Sequence, residues 1–262
     1  MVLVFFIIYR KVGSMNSPDS TTTSVKSNQN EEVDHRMNVS VDVALFTVRN
    51  EEFQVLLIER GINPFRFQWA LPGGRIRSDI GEGETPEETA YRELEEETGI
   101  SKNLVGYLEQ LGAYGNPKRD PRNRVISIAY FGIRPMLDDP KSGSDASKAE
   151  FKPVNEIEQS LAFDHDEILS DAIDRARAKL EYSTIATEFC GEEFTITELR
   201  KVYEIVWGVS LNPGNFQKKV LSSPGFVEDT GKNALSLSGG GRPARLYRSG
   251  SAALINLPIR RN

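Results

Sequence analysis

Alternating apolar and polar positions mark strands in the first half of the chain. Apolar residues alternate with polar or small ones between positions 39 and 45, and a second apolar run covers 55–58. The polar residues 49–52 separate these runs, which is typical of a turn that joins two strands of one sheet. Three further strands are predicted, at 69–71, 104–108 and 125–131, the first of them ending at the Pro-Gly-Gly break of 72–74.

Helical spacing replaces this alternation later in the chain. Apolar residues three or four positions apart over 168–180 predict a helix that closes a first domain. Before it, 138–150 is rich in Asp, Ser, Lys and Gly and has no periodicity, which predicts an exposed loop. Thr197 is predicted to cap a helix that ends at Gly208. A second short helix is predicted at 215–221.

The order of these elements defines the predicted domains. After the two short helices, 226–247 predicts two strands around a glycine-rich turn at 239–241. Helix, turn, helix and hairpin in this order are typical of a winged helix. We therefore expect an α+β protein in four parts, which are a disordered tail (1–38), a first domain (39–182), a winged-helix domain (189–250) and a second tail (251–262).

Charge is distributed unevenly along the 262 residues. The net charge is −6, but residues 1–188 hold 22 Lys and Arg against 32 Asp and Glu, while residues 189–262 hold 10 against 6. A basic final quarter on an acidic protein points to a polyanionic partner for that part of the chain.

The composition also bears on the compartment. The single cysteine, Cys190, cannot form an internal disulfide, so a reducing cytoplasm is the expected location. The apolar stretch 2–9 is too short to span a bilayer, and no basic residues precede it as a signal peptide requires. No membrane partner is therefore expected.

A glutamate-rich helix carries the strongest chemical signal. Thr85 is a good cap, Pro86 stands where no amide is needed, and Glu88 completes a capping box. Gly99 is suited to end the helix in a left-handed conformation. The helix is therefore predicted between Thr85 and Gly99.

Three carboxylates share one face of this helix. Glu93, Glu96 and Glu97 are related by spacings of three and four residues, and like charges at that spacing repel unless they are solvated or bind a cation. A solvated acidic face is one interpretation. A site for Mg²⁺ or Mn²⁺ is the other, and it is favoured because Arg92 can orient the carboxylates and because Gly74 offers an unobstructed carbonyl.

The segment 112–122 is the candidate for contact with phosphate. Arg119 and Arg122 can each bind phosphate through two hydrogen bonds, and Asp120 can accept from ribose hydroxyls or orient an arginine. A polar surface loop with no ligand would have the same composition, so the residues alone leave both interpretations open.

The winged helix supplies candidate contacts to duplex DNA. If 215–221 is the recognition helix, Phe216 and Val220 face its core and the hairpin arginines reach the phosphate backbone or minor groove. A small helical domain that only caps a dimer of the chain, with solvated charges, is the alternative. The candidate DNA-binding residues are Asn215, Gln217, Lys218, Lys219, Arg242, Arg245 and Arg248.

The region around the glutamate helix resembles the Nudix box, G-x5-E-x7-R-E-U-x-E-E-x-G-U, where U is aliphatic. Every position from Glu84 to Ile100 matches, but Gly74 lies ten positions before Glu84 instead of six, and Ser78 occupies the position counted as Gly. The resemblance implies a Nudix α/β/α sandwich with a mixed sheet. It also implies catalytic and metal-binding roles: the metal ligands are Glu93, Glu96, Glu97 and the Gly74 carbonyl, and Arg92 orients the glutamates.

Four stretches together resemble a narrower group. The residues 69–74, the Arg-Asp-Pro-Arg run of 119–122, the LAFDHDEI stretch of 161–168 and the GRPARLYR stretch of 241–248 are similar to Nudix-related transcriptional regulators of NAD metabolism, and to ADP-ribose pyrophosphatases with a carboxy-terminal winged helix. This resemblance implies ADP-ribose or a relative as ligand and a homodimer that binds a DNA operator. Within it, His165 is expected to pack or cap a helix.

Three functional hypotheses follow from the sequence. The chain hydrolyses ADP-ribose and regulates transcription, or it is a catalytically silent ADP-ribose sensor, or it is a plain Nudix pyrophosphatase whose last domain is structural. The complete set of glutamates favours retained hydrolysis, and the basic final quarter favours regulation.

Overall fold

The computed structural model describes residues 37–78, 81–135, 139–143, 146–157, 160–234, 243–255 and 259. The predicted tail up to residue 36, the glycine turn at 239–241 and Arg242 therefore lie outside the described residues.

The described residues of the first domain form one mixed sheet. β1 pairs in parallel with β6, whereas all other neighbours in the sheet are antiparallel. The order is β3-β2-β1-β6-β5, with β4 also pairing β1 and β7 pairing β2. The strands are β1 (Asn38–Arg49), β2 (Glu52–Arg60), β3 (Trp69–Ala70), β4 (Gly73–Arg75), β5 (Tyr107–Tyr114), β6 (Val125–Ile133) and β7 (Ala146–Pro153).

Helices cover both faces of this sheet because the apolar residues of β1 alternate between them. Val43 and Leu45 pack with Leu94 of helix α1 (Pro86–Thr98) on one face. Phe46 packs on the opposite face with residues of helix α2 (His165–Tyr182). The α/β/α sandwich with a mixed sheet, expected from the Nudix resemblance, is confirmed.

Two predicted elements of the first domain are wrong in detail. The loop predicted at 138–150 is in part strand β7, which pairs with β2 and buries Ala146 and Ala149. This strand lies at a sheet edge and is held by backbone hydrogen bonds and small side chains, so it lacks strong alternation. The strand predicted at 104–108 begins only at Tyr107, because Lys102–Leu104 forms a 3-10 turn.

The last four described elements form the winged helix. Helix α3 (Ile196–Trp207) is followed by helix α4 (Pro213–Ser222) and by the hairpin of β8 (Val227–Asn233) and β9 (Arg245–Ser249). Phe194 and Tyr247 form an isolated bridge beside the hairpin. The predicted order of helix, turn, helix and hairpin is confirmed.

The cap of α3 corrects the prediction. Thr195, rather than Thr197, caps the helix, because its hydroxyl accepts from the amide of Glu198 at 3.1 Å while the Glu198 carboxylate accepts from the Thr195 amide at 2.7 Å. The helix ends at Gly208 as predicted, with φ of 68°. Asn212 caps α4, which therefore begins two positions before the predicted start.

One hydrophobic core is shared by the sheet, α2 and the winged helix. It contains Phe46 of β1, Leu180 of α2 and Tyr203 of α3, each almost fully buried. The segment predicted as a final tail also joins this core, because Ile255 and Ile259 are only 6% exposed. Their amides donate to carbonyls at the end of α2, which fixes the segment there.

Membrane insertion receives no support from the helices. In the parts of the chain that the structure covers, none has both the length and the apolar character needed to cross a bilayer.

Candidate functional site

The glutamate helix α1 begins and ends as the local sequence predicts. The Thr85 hydroxyl accepts from the Glu88 amide at 3.2 Å, and the Glu88 carboxylate accepts from the Thr85 amide at 2.8 Å, so the capping box is complete. Gly99 ends the helix with φ of 71°. These local signals position the acidic face without help from distant residues.

Arg92 is the centre of a carboxylate network on this helix. Its guanidinium donates to both oxygens of Glu84 at 2.6 and 3.0 Å, to Glu93 at 2.7 Å and to Glu96 at 3.0 Å. It also donates to the carbonyl of Arg75 at 3.1 Å. The hydrogen bonds from Arg92 and from the Arg77 amide hold the pKa of Glu84 at about 2. Arg92 therefore fixes the orientation of two of the three glutamates among the predicted metal ligands.

Glu93, Glu96 and Glu97 line one cavity of about 410 Å³ together with Gly73 and Gly74. Glu97 is only 6% exposed, and one of its oxygens accepts from the amide of Gly73 at 2.9 Å. Burial, together with the neighbouring charge of Glu93, raises the pKa of Glu97 to about 8. Burial likewise raises the pKa of Glu93.

The three carboxylates share a cavity but do not form a ready-made metal cluster. Among the described residues, no three acidic, His or Cys side chains lie close enough together to hold an ion. Glu96 is instead bound by two guanidinium groups, since Arg77 donates to its oxygens at 3.1 and 3.2 Å in addition to Arg92. Arg77 lies between Gly74 and Glu84, in the segment that is longer than in the Nudix pattern.

The donor set nevertheless fits a hard divalent cation. Burying the carboxylates of Glu93 and Glu97 near each other disfavours their charged forms, and a cation would offset that repulsion. Gly74 lies directly against Glu93, because a Cβ built on it would stand 2.1 Å from a Glu93 oxygen. The longer segment before Glu84 has therefore not displaced Gly74 from the acidic face.

Arg119 is placed differently from Arg122. It is only 7% exposed, and it donates to both oxygens of Asp164 at 2.7 and 2.8 Å and to Asp42 at 3.0 Å. Asp42 also lies 3.3 Å from His165, whose Nδ1 accepts from the Leu71 amide at 2.9 Å. The ion pairs and hydrogen bonds hold the pKa of Asp42 well below its usual range, even though its burial acts in the opposite direction.

This buried network joins the sheet to the start of α2 beneath a second cavity. Asp42, Arg119 and His165 line that cavity, which has a volume of about 70 Å³. Their contacts with one another suit them to hold the cavity's shape, and the packing role expected for His165 agrees with its position. A direct phosphate contact by Arg119 stays a prediction.

Arg122 and Asp120 also line the smaller cavity, and they bind each other. Asp120 accepts from the guanidinium of Arg122 at 2.7 and 3.0 Å. Arg122 is much more exposed than Arg119 and lines the larger cavity as well. Asp120 thus orients Arg122, which is one of the two roles that the sequence analysis gives to Asp120.

Sequence reasoning missed Arg60 and Phe163, which line the same cavity. Arg60 ends β2, and its guanidinium carbon lies 4.8 Å from the centre of the Phe163 ring. Neither residue belongs to the glutamate motif, and they lie far apart in sequence. The apolar run of β2 ends at Ile58 and gives no sign that the Arg60 side chain faces a cavity.

The predicted recognition helix presents polar residues to solvent. Asn215, Gln217 and Lys218 are exposed on α4, and Lys219 is partly exposed in its last turn. Phe216 is buried, as is the Val220 side chain, so the predicted inner face of this helix is confirmed. The helix carries no acidic residue that would repel phosphate.

The two hairpin arginines among the described residues, both on β9, form ion pairs with carboxylates of β8. Arg248 donates to Glu228, its partner in the strand register, at 2.8 and 3.0 Å. Arg245 donates to Asp229 at 2.8 and 2.9 Å. Both pairs are exposed, so solvent screening makes them weak enough for phosphate to compete.

Family models match both halves of the chain. The model of the NUDIX domain matches residues 38–172, and the model of the NrtR DNA-binding winged helix domain matches residues 186–249. The first match covers the sheet and most of α2, and the second covers the helices and hairpin of the winged helix.

Three known proteins and structures are similar over long stretches. The ADPR responsive transcriptional repressor NtrR of Acinetobacter baylyi is 34% identical over 211 residues, which are 80% of this chain and 81% of that protein. The crystal structure of Shewanella oneidensis NrtR with a 27mer DNA has a TM-score of 0.70 and 28% identity, and covers 85% of this chain and 99% of that one. The NUDIX domain of the same protein complexed with ADP ribose has a TM-score of 0.50 and 29% identity, over 57% of this chain and 94% of that one.

Proposed function

Because the chain belongs to the Nudix family and carries the winged-helix domain of NrtR regulators, we propose that it is a DNA-binding regulator whose Nudix domain binds ADP-ribose and hydrolyses it with a divalent cation. One observation carries this proposal. The helix α2 starts at the smaller cavity and packs in the same core as the helix-turn-helix, so a change at the cavity has a structural path to the DNA-binding part.

The two cavities suit a ligand with a diphosphate between two bulky groups. They are lined in common by Arg60, Gly73, Gly74, Arg75 and Arg122, so they adjoin. ADP-ribose has a nucleoside on one side of its diphosphate and a sugar on the other. A relative is named for its response to ADPR, and a similar domain was crystallised with ADP ribose, which supports this ligand.

Glu93, Glu96, Glu97 and the Gly74 carbonyl would hold the cation, with Mg²⁺ or Mn²⁺ as candidates. When bound, such an ion polarises phosphate oxygens and lowers the pKa of a bound water, which hydrolysis of a diphosphate requires. Arg92 keeps Glu93 and Glu96 oriented, and the amide of Gly73 keeps Glu97 aimed into the cavity. Water would attack one phosphorus and the bridging oxygen would leave, giving AMP and ribose 5-phosphate.

The winged helix supplies the DNA interface of the proposal. Asn215, Gln217 and Lys218 are exposed on α4, which corresponds to the second helix of a helix-turn-helix. Arg245 and Arg248 on the hairpin would contact phosphate, and Arg242, outside the described residues, stays a candidate for the same role. A homodimer would match a palindromic operator, and that assembly also stays a prediction, as does the cytoplasmic location.

A DNA-binding titration tests the regulatory part. The full chain is titrated against a fluorescent 27-base-pair duplex selected from a random pool, at two salt concentrations, with and without ADP-ribose. We expect binding that weakens steeply with salt and an affinity that ADP-ribose changes several-fold. A Lys218→Gln, Lys219→Gln variant should bind more weakly with a smaller salt slope. Failure of the wild type to bind any duplex would return the winged helix to a structural role.

A turnover assay tests the enzymatic part. Wild type, Glu96→Gln and Glu97→Gln are incubated with ADP-ribose and Mg²⁺, and AMP is measured. We expect metal-dependent AMP from the wild type and a loss of at least a hundredfold, roughly, in each variant. Absence of AMP from the wild type, with ADP-ribose binding intact, would leave the silent sensor as the function. Glu95→Gln, on the exposed side of the same helix, is the control.

A further inference from the structure

Two arginines stand where the two cavities adjoin. Arg60, at the end of β2, and Arg122, in the connection between β5 and β6, line both the smaller and the larger cavity. The smaller cavity lies over the network of Asp42 and His165, and the larger one is lined by the glutamates of α1. A group bound between the cavities therefore meets both guanidinium groups.

A single phenylalanine lies beneath this pair. The guanidinium carbon of Arg60 lies 4.8 Å from the centre of the Phe163 ring, and that of Arg122 lies 5.8 Å from it. Stacking on an aromatic face holds a guanidinium in place without using its hydrogen-bond donors. Phe163 thus leaves donors on both arginines available to a ligand.

Phe163 itself is held in a strained conformation. Its φ is +60°, in the left-handed region that a bulky side chain rarely adopts. The ring packs edge-on against Phe65 at 4.8 Å and lies 5.3 Å from His165, so its surroundings impose the position. Strain of this kind persists where packing over-determines it, and it concentrates at ligand sites.

The charges of the pair differ in how they are balanced. Arg122 is neutralised by Asp120, whereas no carboxylate of the described residues lies within ion-pair distance of Arg60. The Nε of Arg60 donates a hydrogen bond to the Pro64 carbonyl at 3.0 Å. Burial and the like charge of Arg122 lower the pKa of Arg60. A partly buried cation beside a second cation attracts an anion.

We propose that Arg60 and Arg122, stacked on Phe163, form the subsite that binds the diphosphate of a nucleoside diphosphate derivative. This inference rests on the proposed function for the identity of the nucleotide, but not for the anion chemistry. Arg60 supplies a guanidinium that no carboxylate of the described residues binds directly, and Arg122, fixed by Asp120, supplies a second donor group. The buried Arg119 is a positioning residue by comparison, because Asp42 and Asp164 already bind it.

A calorimetric titration of the full chain tests this subsite. ADP-ribose and inorganic pyrophosphate are each titrated in EDTA into wild type, Arg60→Gln and Arg60→Lys. Arg66→Gln is the matched control, because Arg66 also stacks on a phenylalanine, at 4.6 Å from Phe67, but lines neither cavity. Thermal melting checks that every variant folds.

We expect Arg60→Gln to weaken both ligands on the order of 10- to 100-fold, as loss of a charge-assisted hydrogen bond predicts. Arg60→Lys should recover part of the affinity, and Arg66→Gln should bind like the wild type. Unchanged binding of both ligands by a folded Arg60→Gln protein would overturn the subsite and leave the proposed function intact. Wild type that binds pyrophosphate through Arg60 but not ADP-ribose would overturn the proposed ligand and support the subsite.

Discussion

The indole nitrogen of Trp207 donates a 3.0 Å hydrogen bond to the carbonyl of Arg177. Trp207 ends α3 of the winged helix, and Arg177 lies in α2 of the Nudix domain. The Arg177 guanidinium returns a hydrogen bond of 3.0 Å to the carbonyl of Val206. The two domains are therefore joined by a polar contact as well as by their shared core, and this contact lies on the helix that begins at the smaller cavity.

Removing the indole donor should weaken this junction. Trp207→Phe removes the hydrogen bond from the indole to the Arg177 carbonyl, which keeps its helical partner within α2, so we expect the free energy of unfolding to fall by about 0.5–1.5 kcal/mol. The variant should also show a smaller effect of ADP-ribose on DNA affinity. Urea unfolding and the duplex titration measure the two effects. Trp69→Phe, at the other tryptophan of the chain, is the control, and an equal loss of ligand response there would contradict the role of the junction.

The pair of Arg92 and Glu84 should make part of the stability sensitive to acid. The folded-state pKa of Glu84 is about 2, below its ordinary value of 4.5, so its contribution is complete above about pH 4.5 and is lost as the pH falls towards 2. Glu84→Gln should remove this part of the acid dependence and lower stability at pH 7 by about 1.5–3 kcal/mol. Urea unfolding between pH 7 and pH 3 measures both changes.

An exposed ion pair between the same helix and the turn that follows it provides the control for this experiment. Lys102 and Glu87 are 3.9 Å apart and largely exposed, so Lys102→Gln should change stability by less than about 1 kcal/mol. Equal losses in the two variants would contradict a particular contribution of the Arg92 network to the stability of α1.

The thiol of Cys190 should be unreactive in the folded protein. Burial raises its pKa to about 12, and the nearby carboxylates of Glu198 and Glu188 act in the same direction. Alkylation requires the thiolate, so iodoacetamide at pH 8 should react slowly with the native chain and quickly with the chain in urea. Mass spectrometry follows the modification. Rapid, complete alkylation of folded protein would contradict this burial.

The hairpin carboxylates should limit the affinity for DNA. Glu228 forms an ion pair with Arg248, and Asp229 forms one with Arg245. Both carboxylates also repel phosphate. Glu228→Gln together with Asp229→Asn should therefore increase affinity for a duplex and steepen its dependence on salt. Glu150→Gln plus Glu95→Gln, both in the Nudix domain, makes the same change in net charge. A similar gain in that control would show that overall charge is responsible.

Local signals in the sequence were sufficient for the glutamate helix and its network. The cap at Thr85, the end at Gly99 and the spacing of the glutamates all act within one helix, so the sequence predicts which side chains share a face. The same logic would have located the cap of α3, because Thr195 has Glu198 three positions later and Thr197 has no such partner.

The rest of the site depends on contacts between distant parts of the chain. Arg60 and Phe163 meet through the packing of the 61–68 connection against the segment before α2, and the left-handed conformation of Phe163 occurs without a glycine to mark it. Burial of Arg119 between Asp42 and Asp164 likewise has no local sign. Hydrophobic periodicity predicts faces of elements, but it does not predict which polar side chains converge between them.

Ser183 and Leu254 form an antiparallel bridge. The chain leaves the end of α2 at Ser183 and returns beside it at Leu254. The winged helix is therefore attached to the first domain by two adjacent segments of the chain rather than by one. A rotation of the winged helix would twist both segments together. A movement of the winged helix away from the first domain would pull Ile255 out of the core. Two attachments leave the winged helix fewer directions of movement than a single linker would.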